Sequence, residues 1–126
     1  MLSSAKIFLA LGGVYAALAV AVGAFGAHGL GDRLTIESLA VYQTGVQYHF
    51  WHALGLLAVG LLCRQLPESA WLRSAGWLLA AGVVLFSGSL YALALGAPRS
   101  LGIVTPFGGV AFMLGWVAMV VGVVKG

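Results

Sequence analysis

Long runs of apolar residues dominate the chain, and most polar residues lie between the runs or toward their ends. The runs cover about residues 5–27, 46–63, 72–95 and 106–124. A helix rises ~1.5 Å per residue, so ~20 apolar residues cross the ~30 Å hydrocarbon layer of a bilayer. The pattern therefore predicts an all-α fold, a four-helix transmembrane bundle with both termini on the same side.

The segment at residues 30–45 has two interpretations. Leu39, Tyr42 and Val46 fall at helical spacing, and Glu37 suits the first turn of a helix. The segment is either a short interfacial helix that lies on the membrane or the protruding start of a long second helix. Gly45 is the expected bend between the two parts.

The first apolar run resembles a signal peptide, because Lys6 precedes it and residues 24–27 imitate a cleavage site. The run is long for a signal core, however, and it carries Ala19, Gly23 and Ala27 at intervals of four, which suits helix packing. We expect a retained first helix. Similar stripes of small residues follow in the third and fourth runs, and they serve either packing within one chain or a homo-oligomer.

Composition supports the same picture, since 62% of the residues are hydrophobic and 7% are charged, against roughly 45–50% and ~25% in soluble domains. The 126 residues leave room for a single integral membrane domain, residues 1–126, and for no soluble one. The net charge of +3 is too dispersed for a nucleic-acid surface. The lone cysteine, Cys63, excludes an intrachain disulfide and a thiolate metal cage.

Basic residues predict the orientation of the bundle. Flanks rich in Lys and Arg favour the cytoplasm, so we expect cytoplasmic termini. The termini side carries four of the six basic residues and the opposite side carries two: Lys6, Arg64, Arg73 and Lys125 against Arg33 and Arg99.

Uncharged polar residues and histidines gather toward the side opposite the termini. An unpaired polar group in hydrocarbon costs several kcal/mol, so the clustering predicts one hydrated or hydrogen-bonded chamber under the outer leaflet, suited to a lipid or small ligand. Thr105 is also expected to cap the fourth helix, with Pro106 in its first turn. The candidate residues are His28, Gln47, His49, His52, Ser87, Ser89, Tyr91 and Thr105.

Metal and haem chemistry require more ligands than the sequence offers. His49 and His52 share a helix face, and His28 is a third candidate, but the carboxylates that complete a metal site are limited to Asp32 and Glu37. Haem ligands normally come from two facing helices, whereas only the second run contains histidines. We therefore expect no metal site, and the sequence identifies no cofactor.

Two interpretations of the histidines stay open: they either relay protons in a transporter, with His28 and His52 as the titrating groups, or bond to neighbouring groups and fix the bundle. Nucleophilic catalysis is not favoured, because residues 87–89 lie within a helix and have no elbow motif or acid–base partners. We expect a protein without catalytic residues, an accessory or scaffold component of the membrane.

Four blocks of sequence resemble one protein family. They are GAFGAHGL at residues 23–30, YQ, QYH and HAL within 42–54, LFSGSLY at 85–91, and TPFGG followed by GW within 105–116. In this order they are typical of the YgdD/YwdK-type small bacterial integral membrane proteins, a family defined as a domain of unknown function. The resemblance implies four transmembrane helices in the bacterial plasma membrane, and it implies no activity, ligand or catalytic residue.

Overall fold

The structure, a computed structural model, describes residues 2–126, and these form four long helices joined by short connections. Within the described residues there is no strand, and all four helices are long and apolar enough to cross a membrane. The all-α transmembrane bundle is therefore confirmed. The helices are α1 (Ser4–Gly29), α2 (Ile36–Gln65), α3 (Ala70–Ala94) and α4 (Val104–Lys125).

Helix α2 is continuous over its 30 residues, so residues 30–45 contain no separate interfacial helix. Thr35 begins the helix, because its side chain accepts a hydrogen bond from the backbone N–H of Ser38 at 3.0 Å. Glu37 lies in the first turn, as expected. At ~1.5 Å per residue the helix is about 45 Å long, so an upright α2 projects beyond the hydrocarbon layer.

The expected bend at Gly45 is absent, because α2 passes through this residue as regular helix. Gly45 instead allows α3 to approach: a Cβ atom at this position would lie 2.8 Å from Cε1 of Tyr91. The glycine therefore serves helix packing.

Helix α3 contains a π-helical segment at Val83–Ser87. Such a segment widens one turn and changes the direction in which later side chains point. The backbone of α4 comes close at this turn, since a Cβ atom at Gly108 would lie 2.7 Å from Cα of Phe86. The sequence pattern contained no sign of the π-helical segment.

The connection to α4 corrects one expectation. A 3-10 helix at Arg99–Ile103 leads directly into α4, whose start has no side-chain cap. Thr105 lies inside α4 and uses its hydroxyl elsewhere, at 2.6 Å from the hydroxyl oxygen of Ser89. The prediction that Thr105 caps the helix is wrong, because the preceding turn continues the chain into the helix.

The four helices pack in the order of the chain, with α2 and α3 in the centre, α1 along α2, and α4 along α3. Within residues 2–126, α1 and α4 do not touch. Small residues allow the close approach: a Cβ atom at Gly115 would lie 2.8 Å from Leu79 Cδ2, and Gly76 makes room for the ring of Phe8. The half of the bundle farther from the termini is called the distal half below.

Candidate functional site

Buried polar side chains of the distal half bond directly to neighbouring helices. The hydroxyl of Ser87, which is fully buried, donates to the carbonyl oxygen of Gly45 at 2.7 Å. Tyr91 follows Ser87 by one turn in α3, and its hydroxyl lies 2.8 Å from Nδ1 of His49, which follows Gly45 by one turn in α2. Both bonds join α3 to α2.

The imidazole of His52 has a partner at each nitrogen. Nδ1 lies 2.7 Å from the carbonyl oxygen of Tyr48, so Nδ1 carries the proton and donates. Nε2 accepts a hydrogen bond of 3.0 Å from the indole N–H of Trp116. The ring also stacks on Phe112, with the ring centres 3.6 Å apart. These contacts select one neutral tautomer and join α2 to α4.

Further side-chain hydrogen bonds join α4 to α3, α2 to α1 and α1 to α3. Ser89 donates to the carbonyl oxygen of Phe86 at 2.9 Å, so the hydroxyl of Thr105 donates to Ser89 and joins α4 to α3. Tyr42 donates to the carbonyl oxygen of Val22 at 2.6 Å. Tyr15 likewise donates to the carbonyl oxygen of Ala80 at 3.0 Å, which joins α1 to α3.

The buried polar groups therefore satisfy one another. Within residues 2–126, no buried side-chain nitrogen or oxygen lacks a hydrogen-bond partner. Polar groups in a membrane protein are stable when they are paired in this way. None of the grooves described below is lined by any of the six candidate residues that form these bonds: His49, His52, Ser87, Ser89, Tyr91 and Thr105.

The two remaining candidates, His28 and Gln47, are exposed on the bundle surface. Gly12 of α1 is level with Ala53 of α2, so His28 lies about 20 Å farther along α1 than the level of His52. That distance is too long for a shared metal ion or a direct proton transfer. Among the described residues, no group of three or more His, Cys, Asp or Glu side chains is placed to hold a metal ion.

A groove runs between α1 and α2 in the distal half. Its larger part has a volume of about 510 Å³, and an adjoining hollow has about 230 Å³. Both parts are lined by Gly23, Val46 and Gln47, so they form one continuous surface, which we call the α1–α2 groove. Side chains of Phe50 and Trp51 line the end of the groove that lies closer to the middle of the bundle.

Two carboxamides stand in the α1–α2 groove. Gln43 and Gln47 lie one helical turn apart and are both exposed. Neither forms a side-chain hydrogen bond with another described residue. Tyr42 also lines the groove, but its hydroxyl already donates to Val22. The available polar groups of the groove are therefore the two glutamines.

Charge distinguishes the α1–α2 groove from three others at the end of the bundle that carries the termini. Those three are lined by Arg64, by Arg73, and by Lys125 with Glu68. The α1–α2 groove has no charged lining residue.

The candidate residues from the sequence include Gln47 and omit Gln43. The spacing of four between the two glutamines was a readable signal, because it places both carboxamides on one helix face. Trp116 is absent from the candidate residues, because nothing in the sequence indicates its bond to His52.

Comparisons with known proteins show what the chain is similar to. Residues 22–109 match the family described as "Protein of unknown function (DUF423)". The chain is 51% identical over 120 residues to the UPF0382 membrane protein YwdK of Bacillus subtilis, which covers 95% of this chain and 98% of the relative. It is 46% identical to a UPF0382 membrane protein of Staphylococcus epidermidis, over 95% and 97% of the two chains. No solved structure matches.

Proposed function

We propose that the chain, which belongs to the DUF423 family together with the UPF0382 membrane proteins, is a non-enzymatic accessory protein. In this proposal it binds a lipid or another small amphiphile in the α1–α2 groove. Membership confirms the resemblance to YwdK-type proteins noted in the sequence. The relatives are named membrane proteins and come from bacteria, which supports a bacterial membrane as the location.

The observation that carries the proposal is the pair of exposed carboxamides on a surface that otherwise suits acyl chains. Gln43 and Gln47 face the groove without a partner, whereas the buried polar groups are all paired. Gln47 is the second residue of the apolar run at residues 46–63 and Gln43 lies one turn before it, so we place both at the edge of the hydrocarbon layer, where an unpaired carboxamide beside acyl chains is costly. An amphiphile with a polar group at this level satisfies the glutamines and covers the apolar lining.

The orientation is part of the proposal. Four basic residues flank the helices near the termini and two flank the opposite side, which favours cytoplasmic termini in the bacterial plasma membrane. At the termini end, the ammonium group of Lys125 also lies 5.5 Å from the ring centre of Trp71. With cytoplasmic termini, the α1–α2 groove opens into the outer leaflet.

Proton transfer or transport through His28 and His52 has no comparable support. Both ring nitrogens of His52 are occupied by Tyr48 and Trp116. A second proton on the His52 ring would sit on Nε2 and face the indole N–H of Trp116, so two donors would meet without an acceptor. We therefore do not include transport in the proposal.

Gentle extraction followed by native mass spectrometry tests the proposal. The wild-type protein should retain a small molecule that Gln47→Leu loses, since leucine removes both donors and the acceptor of the carboxamide. Gln65→Leu is the matched control, because Gln65 is an exposed glutamine at the opposite end of the same helix. Equal retention by all three proteins would contradict the proposal.

A further inference from the structure

We infer that the amphiphile has an uncharged head with carbonyl or ester oxygens, which accept hydrogen bonds from the carboxamides of Gln43 and Gln47. The inference rests on the proposed function and names the chemical class of the ligand. Two kinds of membrane molecule carry this chemistry: glycerides with a free hydroxyl instead of a phosphate, and quinones.

The absence of charge in the groove lining supports an uncharged head. No Lys, Arg, Asp or Glu lines the α1–α2 groove, so a charged head held there has no counter-ion. Burying an unpaired charge is far more costly than burying a neutral group with its hydrogen bonds made.

Charged residues outside the groove also favour an amphiphile with an uncharged head. The connection between α1 and α2 carries Asp32 and Arg33, which balance each other in charge, and Glu37 follows in the first turn of α2. The net charge of these three residues is therefore negative. A phosphate placed above the glutamines would therefore meet no excess of positive side-chain charge in this connection.

Hydrogen-bond arithmetic identifies the acceptors. Each glutamine offers two N–H donors and one carbonyl acceptor, and the two side chains leave α2 one turn apart, with Cβ atoms about 5–6 Å from each other. The Tyr42 hydroxyl is already used in the bond to Val22. A head with two carbonyl oxygens can therefore accept one hydrogen bond from each glutamine.

The order of residues along the groove gives the direction of the ligand. Gln43 lies near the distal end of α2, and Phe50 and Trp51 lie about two turns closer to the middle of the bundle. On the α1 side, Ala19 and Ala24 form a low surface of small side chains. The head is held at the glutamines, and the tail extends along this surface toward the middle of the bilayer, as in an amphiphile of the distal leaflet.

Photocrosslinking with the full chain in nanodiscs tests the inference. Three probes carry the same diazirine-bearing tail: a diacylglycerol, a ubiquinone analogue and an anionic phosphatidylglycerol. We expect one of the two uncharged probes to label α1 or α2, and labelling to fall about tenfold in Gln43→Leu/Gln47→Leu, as expected for the loss of two hydrogen bonds. Gln65→Leu should label like the wild type.

Each outcome has a defined meaning. Glutamine-dependent labelling by the diacylglycerol or by the quinone supports the inference and identifies which of the two binds. Stronger glutamine-dependent labelling by phosphatidylglycerol overturns the uncharged head but leaves the proposed binding function intact. Labelling that does not depend on the glutamines for any probe overturns both. Circular dichroism of the double variant, which should match the wild type, separates lost binding from lost folding.

Discussion

Trp116 donates its indole N–H to Nε2 of His52 across 3.0 Å, and this bond ties α4 to α2. An ionisable residue inside a membrane span suggests function by default. Here the partners of the imidazole account for it structurally, because both nitrogens are satisfied and the ring is packed against Phe112. Six of the eight candidate polar residues therefore link helices, and His28 and Gln47 do not.

The His52–Trp116 bond should be measurable as a coupling. Trp116→Phe removes the donor and leaves Nε2 of His52 without a partner, so we expect the free energy of unfolding to fall by about 1 kcal/mol. A double-mutant cycle with His52→Phe, followed by reversible unfolding in mixed micelles, should give a coupling energy of roughly 0.5–1.5 kcal/mol. Additive effects of the two substitutions would contradict the bond.

A side chain at Gly108 should destabilise the bundle. A Cβ atom there would lie 2.7 Å from Cα of Phe86, so Gly108→Ala pushes α4 away from the π-helical segment of α3. We expect a loss of about 1–3 kcal/mol in the free energy of unfolding.

The neighbouring glycine gives the matched control for Gly108. A Cβ atom at Gly109 would meet nothing closer than 3.9 Å, so Gly109→Ala should change the free energy of unfolding by less than about 0.5 kcal/mol. Equal losses in both variants would show that α4 does not approach α3 through Gly108.

The α1–α2 groove can be filled without touching the glutamines. Ala24 is exposed and lines the groove, so Ala24→Phe should occupy the space of the ligand tail and reduce retention of the amphiphile in native mass spectra. Ala21→Phe is the control, because Ala21 is exposed on the same helix but does not line the groove. Similar retention in both variants would argue against the groove as the binding site.

Cytoplasmic termini can be checked with reporters fused after Gly126. Alkaline phosphatase, which folds only outside the cytoplasm, should be inactive there, and green fluorescent protein should fluoresce. The reason is the excess of basic residues at the termini end of the bundle. Active phosphatase would place the groove in the inner leaflet.

The spans could be predicted well, because lipid requires each crossing segment to be helical and apolar. The first predicted run, residues 5–27, lies within two residues of α1 at both ends. The start of α2 does not follow from hydropathy, because Thr35 and Glu37 set it through capping and charge, outside the apolar run. The sequence allowed that extension but did not select it.

The details of the candidate site depended on tertiary packing. The bond between His52 and Trp116 joins residues that are 64 positions apart in the chain, and it requires a particular rotation of α2 and α4 about their axes. The π-helical segment of α3 includes Phe86, which Gly108 of α4 approaches closely, and neither feature has a hydropathy signal. The α1–α2 groove arises because α1 contributes small side chains and α2 contributes long ones. Hydropathy does not distinguish side chains by size, so it does not predict this surface.

The most direct test compares Gln47→Leu with His52→Phe in one experiment that records both retained ligand mass and the free energy of unfolding. We expect Gln47→Leu to lose the bound amphiphile while its stability stays within about 0.5 kcal/mol of the wild type, as for an exposed site. His52→Phe should be less stable but should keep the amphiphile. The reverse pattern, with the ligand lost only when the buried imidazole is removed, would place binding among the buried polar residues and contradict the assignment to the groove.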